Sequence, residues 1–249
     1  GVAEQNMTGM AAGLASEGYH VFTYSIANFP TFRCAEQIRN DIDYHNLPVT
    51  VVAVGGGVAY GNLGYSHHAV QDYAMMRSLP NMLIASPGDP KEVRACLRYL
   101  VDNPQPSYLR LGKAGEPEYH SEVPIVTPGE WLKIDDGTFP NTFLTTGATL
   151  ELAKRKKSSN SKFKDYGVAS LPLWGMQYKA MQPQMVRGFS KVQVMEDHFQ
   201  DGGFGSWLVE GLMTDPGLIR RISTKYLNRE VHKFVANHGT LWKEGLSSS

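Results

Sequence analysis

The chain has 249 residues, 42% of them apolar and 19% charged, enough for one large domain or two modest ones with ordinary globular cores. Lys plus Arg and Asp plus Glu stand at 24 each, so no global charge points to nucleic acid or to an anionic membrane. The two cysteines, Cys34 and Cys96, form neither a disulfide framework nor a metal-type spacing and fit the reduced thiols of a cytoplasmic protein, and the longest apolar run, 49–60, is broken by three glycines and too short to span a bilayer. In chain order, Met7, Met10, Ala11 and Leu14 at helical spacing predict a helix over 4–18 that Gly18 closes. Residues 21–24 read as a strand. Residues 31–44 read as a helix with Phe32, Ala35, Ile38 and Ile42 on one face, and 49–54 as a β-branched strand buried on both sides. A glycine-rich loop, 55–66, precedes a helix over 68–78, a strand over 82–85, a helix over 89–102 and a strand over 107–111.

Residues 112–130 carry three prolines and three glycines and read as a linker, drawn at 116–130. A second alternating pattern follows, with strands at 142–145, 167–171, 191–195 and 218–222 and helices at 148–157 and 206–213. The expected fold class is α/β: two parallel or mixed-sheet domains, 1–115 and 131–249. The basic run over 154–164 reads as a solvated helix end and loop. The chain opens Gly-Val-Ala-Glu-Gln-Asn with neither Met nor leader, so either upstream residues of the first domain are missing or the chain is a processed piece. No metal-ligand cluster is visible; the acids are scattered.

A lone Glu4 at a helix mouth is ordinary dipole chemistry. Its company is less ordinary: GVAEQNMTGMAAGLA at 1–15, NFPTF at 28–32, RCAEQIRNDI at 33–42 and GYSHHAVQDYAMMRSLPNM at 64–82 follow in one order and spacing. This ordered set resembles the pyrimidine-binding domain of the transketolase family over about residues 1–115. FLTTGATLELA at 143–153 and EDHFQDGGFGSWL at 196–208 resemble the family's C-terminal domain more loosely.

The resemblance implies a thiamine diphosphate enzyme. It implies that Glu4 hydrogen-bonds the far nitrogen of the cofactor's pyrimidine, exchanging a proton that a Gln side chain lacks. Burial is expected to raise the Glu4 pKa for that task. Phe29 and Phe32 would form the aromatic wall, with Ile26 in place of one family aromatic. His67 would face the substrate and donate to a hydroxyl or oxyanion, while His68 points elsewhere.

Three substrate positions depart from the family: Gly55 stands where sugar-phosphate transketolases carry His, Leu63 where they carry Asp, and Lys113 where they carry a phosphate-binding Arg. These departures predict a larger or less polar donor or acceptor than the usual pentose and hexose phosphates, such as a modified sugar, and a roomier channel near 55–66, with Tyr60 and Tyr65 available to stack on it. The family's Gly-Asp-Gly motif, which holds the diphosphate and Mg²⁺, has no counterpart here. The resemblance therefore implies a partner, an N-terminal transketolase-type subunit carrying that motif, in a two-plus-two heterotetramer. The alternatives are a beta subunit of a 2-oxoacid dehydrogenase and a non-catalytic paralogue that kept its interface.

Overall fold

The computed structural model describes residues 3–246. The first half runs α1 (Glu4–Ser16), β1 (Val21–Ile26), α2 (Asn28–Thr31), α3 (Ala35–Gln37), β2 (Val49–Val54), α4 (Asp72–Met76), β3 (Leu83–Ala85), α5 (Pro90–Asp102) and β4 (Ser107–Leu111). The second runs β5 (Leu132–Lys133), β6 (Asn141–Thr145), α6 (Thr149–Ser159), β7 (Tyr166–Ser170), β8 (Leu173–Trp174), α7 (Gln182–Arg187), β9 (Lys191–Met195), α8 (Phe204–Gly211), α9 (Pro216–Ile219), β10 (Ile222–Lys225) and α10 (His238–Leu246). Two five-stranded sheets result, in the orders β1-β2-β4-β3-β8 and β10-β9-β6-β7-β5. Pairing is parallel throughout except at β8 and β5, which close one edge of each sheet antiparallel. The α/β expectation holds.

The local causes are readable. In β2 every residue but the last is buried, as suits a Val-rich strand with neighbours on both sides. Asp89 caps α5 by accepting from the Glu92 amide, and Pro90 follows at the first helical turn. Gly18, at φ 94°, ends α1.

Three expected elements differ. The helix over 31–44 is an irregular helical path: α2, a 3₁₀ turn over Phe32–Cys34, α3, then a π stretch over Ile38–Asp43. This rotates Phe32 out of the buried face to 50% exposure, while Cys34, Ile38 and Ile42 stay buried. The helix over 68–78 shrinks to α4, because Ala69 is held in a β-bridge with Gly57. The strand over 218–222 is instead α9 followed by β10, since Asp215 caps and Pro216 starts a helical turn. The basic run is also less solvated than expected: Lys154 and Lys157 both pair with Asp135, at 2.6 and 2.7 Å.

One apolar core runs through both halves. Trp174 on β8 crosses into the first sheet and packs against Tyr73, Phe204 and Trp207, with ring centroids 5.1–5.2 Å away. Its indole N–H donates to Thr146, so the buried ring leaves no orphan donor.

Candidate active site

In a parallel sheet the C-terminal ends of the strands share one edge, where α/β proteins place ligand-binding loops. At that edge β1 ends on half-buried Ile26, β2 runs into Gly55, and β4 leads to exposed Lys113.

The first group of expected site residues forms a chain of contacts. Glu4 opens α1, and its Oε2 accepts from the Arg33 guanidinium at 2.5 Å. Among the described residues the Ser25 hydroxyl reaches the other oxygen, Oε1, at a long 3.4 Å, which leaves it acceptor capacity. The Arg33 guanidinium lies over the Phe29 ring at 5.0 Å. Phe29 in turn meets the His67 imidazole edge-on, at 5.4 Å. The Asn28 amide pins the two loops together by donating to the backbone carbonyls of Ser66, at 3.2 Å, and His68, at 2.6 Å. A cleft of about 380 Å³ opens here, lined by Phe29, Phe32, Arg33 and Tyr65 among others. Phe32 is therefore an exposed wall residue rather than core. His68 is fully buried and turned away, with its Nε2 near the Gly61 carbonyl at 3.4 Å.

The expected direction for Glu4 is reversed. Its pKa lies below the usual carboxylate value, first because its own backbone amide at the helix start serves the carboxylate, then because Arg33 both hydrogen-bonds and attracts it. Burial opposes this but does not win.

Gly55 and Lys113 belong to a second group, joined through Tyr60. Gly55 has φ 86°, and a Cβ built on it would lie 2.2 Å from the Tyr60 ring. The Lys113 ammonium stands 5.9 Å from the same ring. The space that a side chain at 55 would occupy is thus filled by Tyr60, which corrects the expectation of simple extra room there. Leu63 stands apart, 51% exposed on a 3₁₀ turn. Its neighbour Gly61 packs against Leu241 of α10, so the second half covers part of this loop.

Sequence reasoning misses Arg33, although it opens the RCAEQIRNDI motif, and it misses a buried ion cluster. Arg110 on β4 holds Asp72 and Asp197, each at 2.7 Å, with all three side chains at most 2% exposed. It misses a trio as well: Asp89, Glu92 and His120 present ligand atoms within 4.8 Å of one another, so the acids are less scattered than the sequence suggests. Much of that trio's capacity is committed. Asp89 accepts from the amides of Glu92, Tyr119 and His120, and Glu92 from the Gly88 amide and the Ser170 hydroxyl. A second cavity, of about 350 Å³ near Trp131 and Phe189, shares no residue with the cleft.

Residues 1–116 match the family described as the pyrimidine-binding domain of transketolase. A subunit of apulose-4-phosphate transketolase from Phocaeicola vulgatus is 32% identical over 99% of this chain and 80% of its own length. The 6-deoxy-6-sulfo-D-fructose transketolase subunit SqwH of Clostridium sp. is 33% identical over 59% of this chain and 45% of its own. A split-gene transketolase solved as an inactive beta4 tetramer superposes with a TM-score of 0.80 and 29% identity, over 98% of this chain and 77% of that one. The chain belongs to the transketolase family, whose members are thiamine diphosphate-dependent transferases. Within it, the extent of the match and the likeness to proteins that are themselves transketolase subunits make it a transketolase-like subunit of the split kind. Among the described residues no helix is long and apolar enough to cross a membrane.

Proposed function

We propose that this chain supplies the aminopyrimidine half of a thiamine diphosphate site and serves transfer of a two-carbon ketol unit to a sugar or modified-sugar acceptor. The observation that carries the reading is the unbroken contact path Glu4–Arg33–Phe29–His67, which gathers a carboxylate, an aromatic face and an imidazole at one strand edge. The fit is chemical as well as spatial: Glu4 keeps acceptor capacity on the oxygen that meets Ser25 at 3.4 Å, and Arg33 links its carboxylate to the half-buried Phe29 ring. When bound, the cofactor would supply an electron sink for ketol transfer. Glu4 holds the proton at the far pyrimidine nitrogen, Phe29 packs on the ring face with Phe32 and Ile26 flanking it, and His67 donates to substrate oxygen. Lys113 offers a point charge to an anionic group of the substrate, with Tyr60 and Gly55 beside it and the exposed Leu63 further along the same loop. The named substrates of two relatives, apulose 4-phosphate and 6-deoxy-6-sulfo-D-fructose, are both modified anionic sugars, in keeping with a cation at that end.

The diphosphate and Mg²⁺ are assigned to a partner subunit with a Gly-Asp-Gly motif, in a two-plus-two assembly in the cytoplasm. An exposed apolar face supports such an interface: Met10 and Leu14 on α1 stand 61% and 48% exposed, Gly9 and Gly13 face open space, and the edge strand β1 shows Tyr24. The two domains are assigned to 1–115 and 131–249, with 116–130 as linker. Calorimetric titration of thiamine diphosphate with Mg²⁺ tests the reading: binding is expected only when the partner subunit is present. Tight binding to this chain alone overturns the two-subunit site.

A further inference from the structure

Arg110 is the point where the two halves of the chain grip the loops of the proposed site. Its guanidinium is held on every side. Nε donates to Asp72 and Nη1 to Asp197, each at 2.7 Å; Nη1 also donates to the Tyr73 hydroxyl at 3.1 Å and Nη2 to the Ala69 carbonyl at 2.8 Å. Asp72 and Ala69 follow His67 closely in sequence, and Ala69 is bridged to Gly57 by two backbone hydrogen bonds of 3.0 and 2.8 Å. Asp197 arrives from the other sheet, two residues past β9.

Two glycines show how closely the loop is fitted to this pair. A Cβ on Gly56 would lie 2.7 Å from the Arg110 guanidinium, and one on Gly57 would lie 2.2 Å from Asp197 Oδ2. Asp197 Oδ2 is buried with no hydrogen-bond partner among the described residues. A buried ion pair is weak evidence of stability, and in some proteins its role is to specify geometry instead. An incompletely satisfied carboxylate at this place points to the second role.

We infer that Asp197, acting through Arg110, is a positioning residue: the second half of the chain sets the glycine loop and His67 in register with Phe29. The inference rests on the role proposed above for His67. Asp197 touches neither cofactor nor substrate. Its effect is on the loop from 55 to 69, which it holds by one side of the guanidinium fork while Asp72 holds the other.

The test uses Asp197→Asn, Gly57→Ala and the double variant of the full chain with its partner subunit. Amide hydrogen exchange is read by peptide mass spectrometry, alongside kcat and KM. The clamp predicts exchange at least tenfold faster over 55–69 in each single variant, with β6 and β9 unchanged. It also predicts kcat at least tenfold lower with KM within threefold, and a double variant no worse than either single. Unchanged exchange over 55–69, exchange raised equally across the second sheet, or additive effects in the double variant overturn it. So does a loosened loop with kcat intact. Should Asp197→Asn not fold, Gly57→Ala and Arg110→Lys give the same readings. The exchange arm decides whether the clamp holds the loop and the kcat arm whether that loop serves turnover, whereas failure of the cofactor reading shows as a wild type without thiamine diphosphate-dependent turnover.

Discussion

The Arg33 guanidinium stands 2.5 Å from the Glu4 carboxylate, closer than the Ser25 hydroxyl on the other oxygen. The backbone amide at the helix start and, after it, the Arg33 ion pair hold the Glu4 pKa down, yet the proposed relay needs Glu4 to carry a proton part of the time. Arg33 therefore tunes Glu4, and a bound pyrimidine must compete with it.

Replacing Arg33 with Gln removes the charge and most of the hydrogen bonding. The Glu4 pKa is expected to rise, because burial then meets less opposition. Titration of the Glu4 carboxyl carbon by NMR reads this directly, and an unmoved midpoint contradicts the tuning role.

Glu196 is fully buried, accepts from the amides of Phe204 and Gly205, and has its pKa raised to about 8, chiefly by burial. The folded state thus binds a proton that the unfolded chain releases near pH 4.5. Its contribution to stability is complete below that value and is lost as pH rises toward about 8. Glu92, raised to about 7 by burial, acts in the same direction over a narrower window. The difference in melting temperature between the wild type and Glu196→Gln should drift in the variant's favour between pH 5 and pH 8, with roughly 2–4 °C for each kcal/mol. A flat difference means that Glu196 does not titrate there.

Trp174 ties β8 to the first sheet while its ring fills the core between the sheets. Trp174→Ala is expected to cost about 3–5 kcal/mol. Denaturant unfolding followed by far-ultraviolet circular dichroism should show a lower midpoint, and a loss under about 1 kcal/mol would contradict the packing argument.

Lys113 and Tyr60 meet beside Gly55 at the proposed substrate end. Lys113→Gln should raise KM for an anionic modified sugar about tenfold with kcat little changed, as loss of uniform binding does. An unaltered KM removes Lys113 from the site. Xylulose 5-phosphate with ribose 5-phosphate should be a poor pair, well below about 10⁴ M⁻¹s⁻¹ in kcat/KM.

Much of the fold is legible where local pattern carries it. The Val-rich β2 and the capped α5 declare themselves, whereas two-residue strands such as β5 and β8 have no period to read. The Asp215-Pro216 pair is a helix-start signal that the apolar Leu218 and Ile219 beside it mask. Of the proposed site, Glu4, Phe29 and His67 are visible through their motifs. Their alignment depends on Arg33, 29 positions from Glu4, and the Arg110–Asp197 pair spans 87 positions. No local periodicity reports pairings that far apart, and the downward pKa shift of Glu4 follows in part from one of them.

Glu4→Gln tests the central claim most directly. The substitution keeps shape and removes the proton, so the fold should stand, with an unchanged circular dichroism spectrum. In the assembled enzyme, exchange of the cofactor's thiazolium proton for deuterium, followed by NMR, should slow by about 10²–10⁴-fold. Exchange at the wild-type rate in Glu4→Gln would contradict the assignment of this chain as the aminopyrimidine-activating subunit.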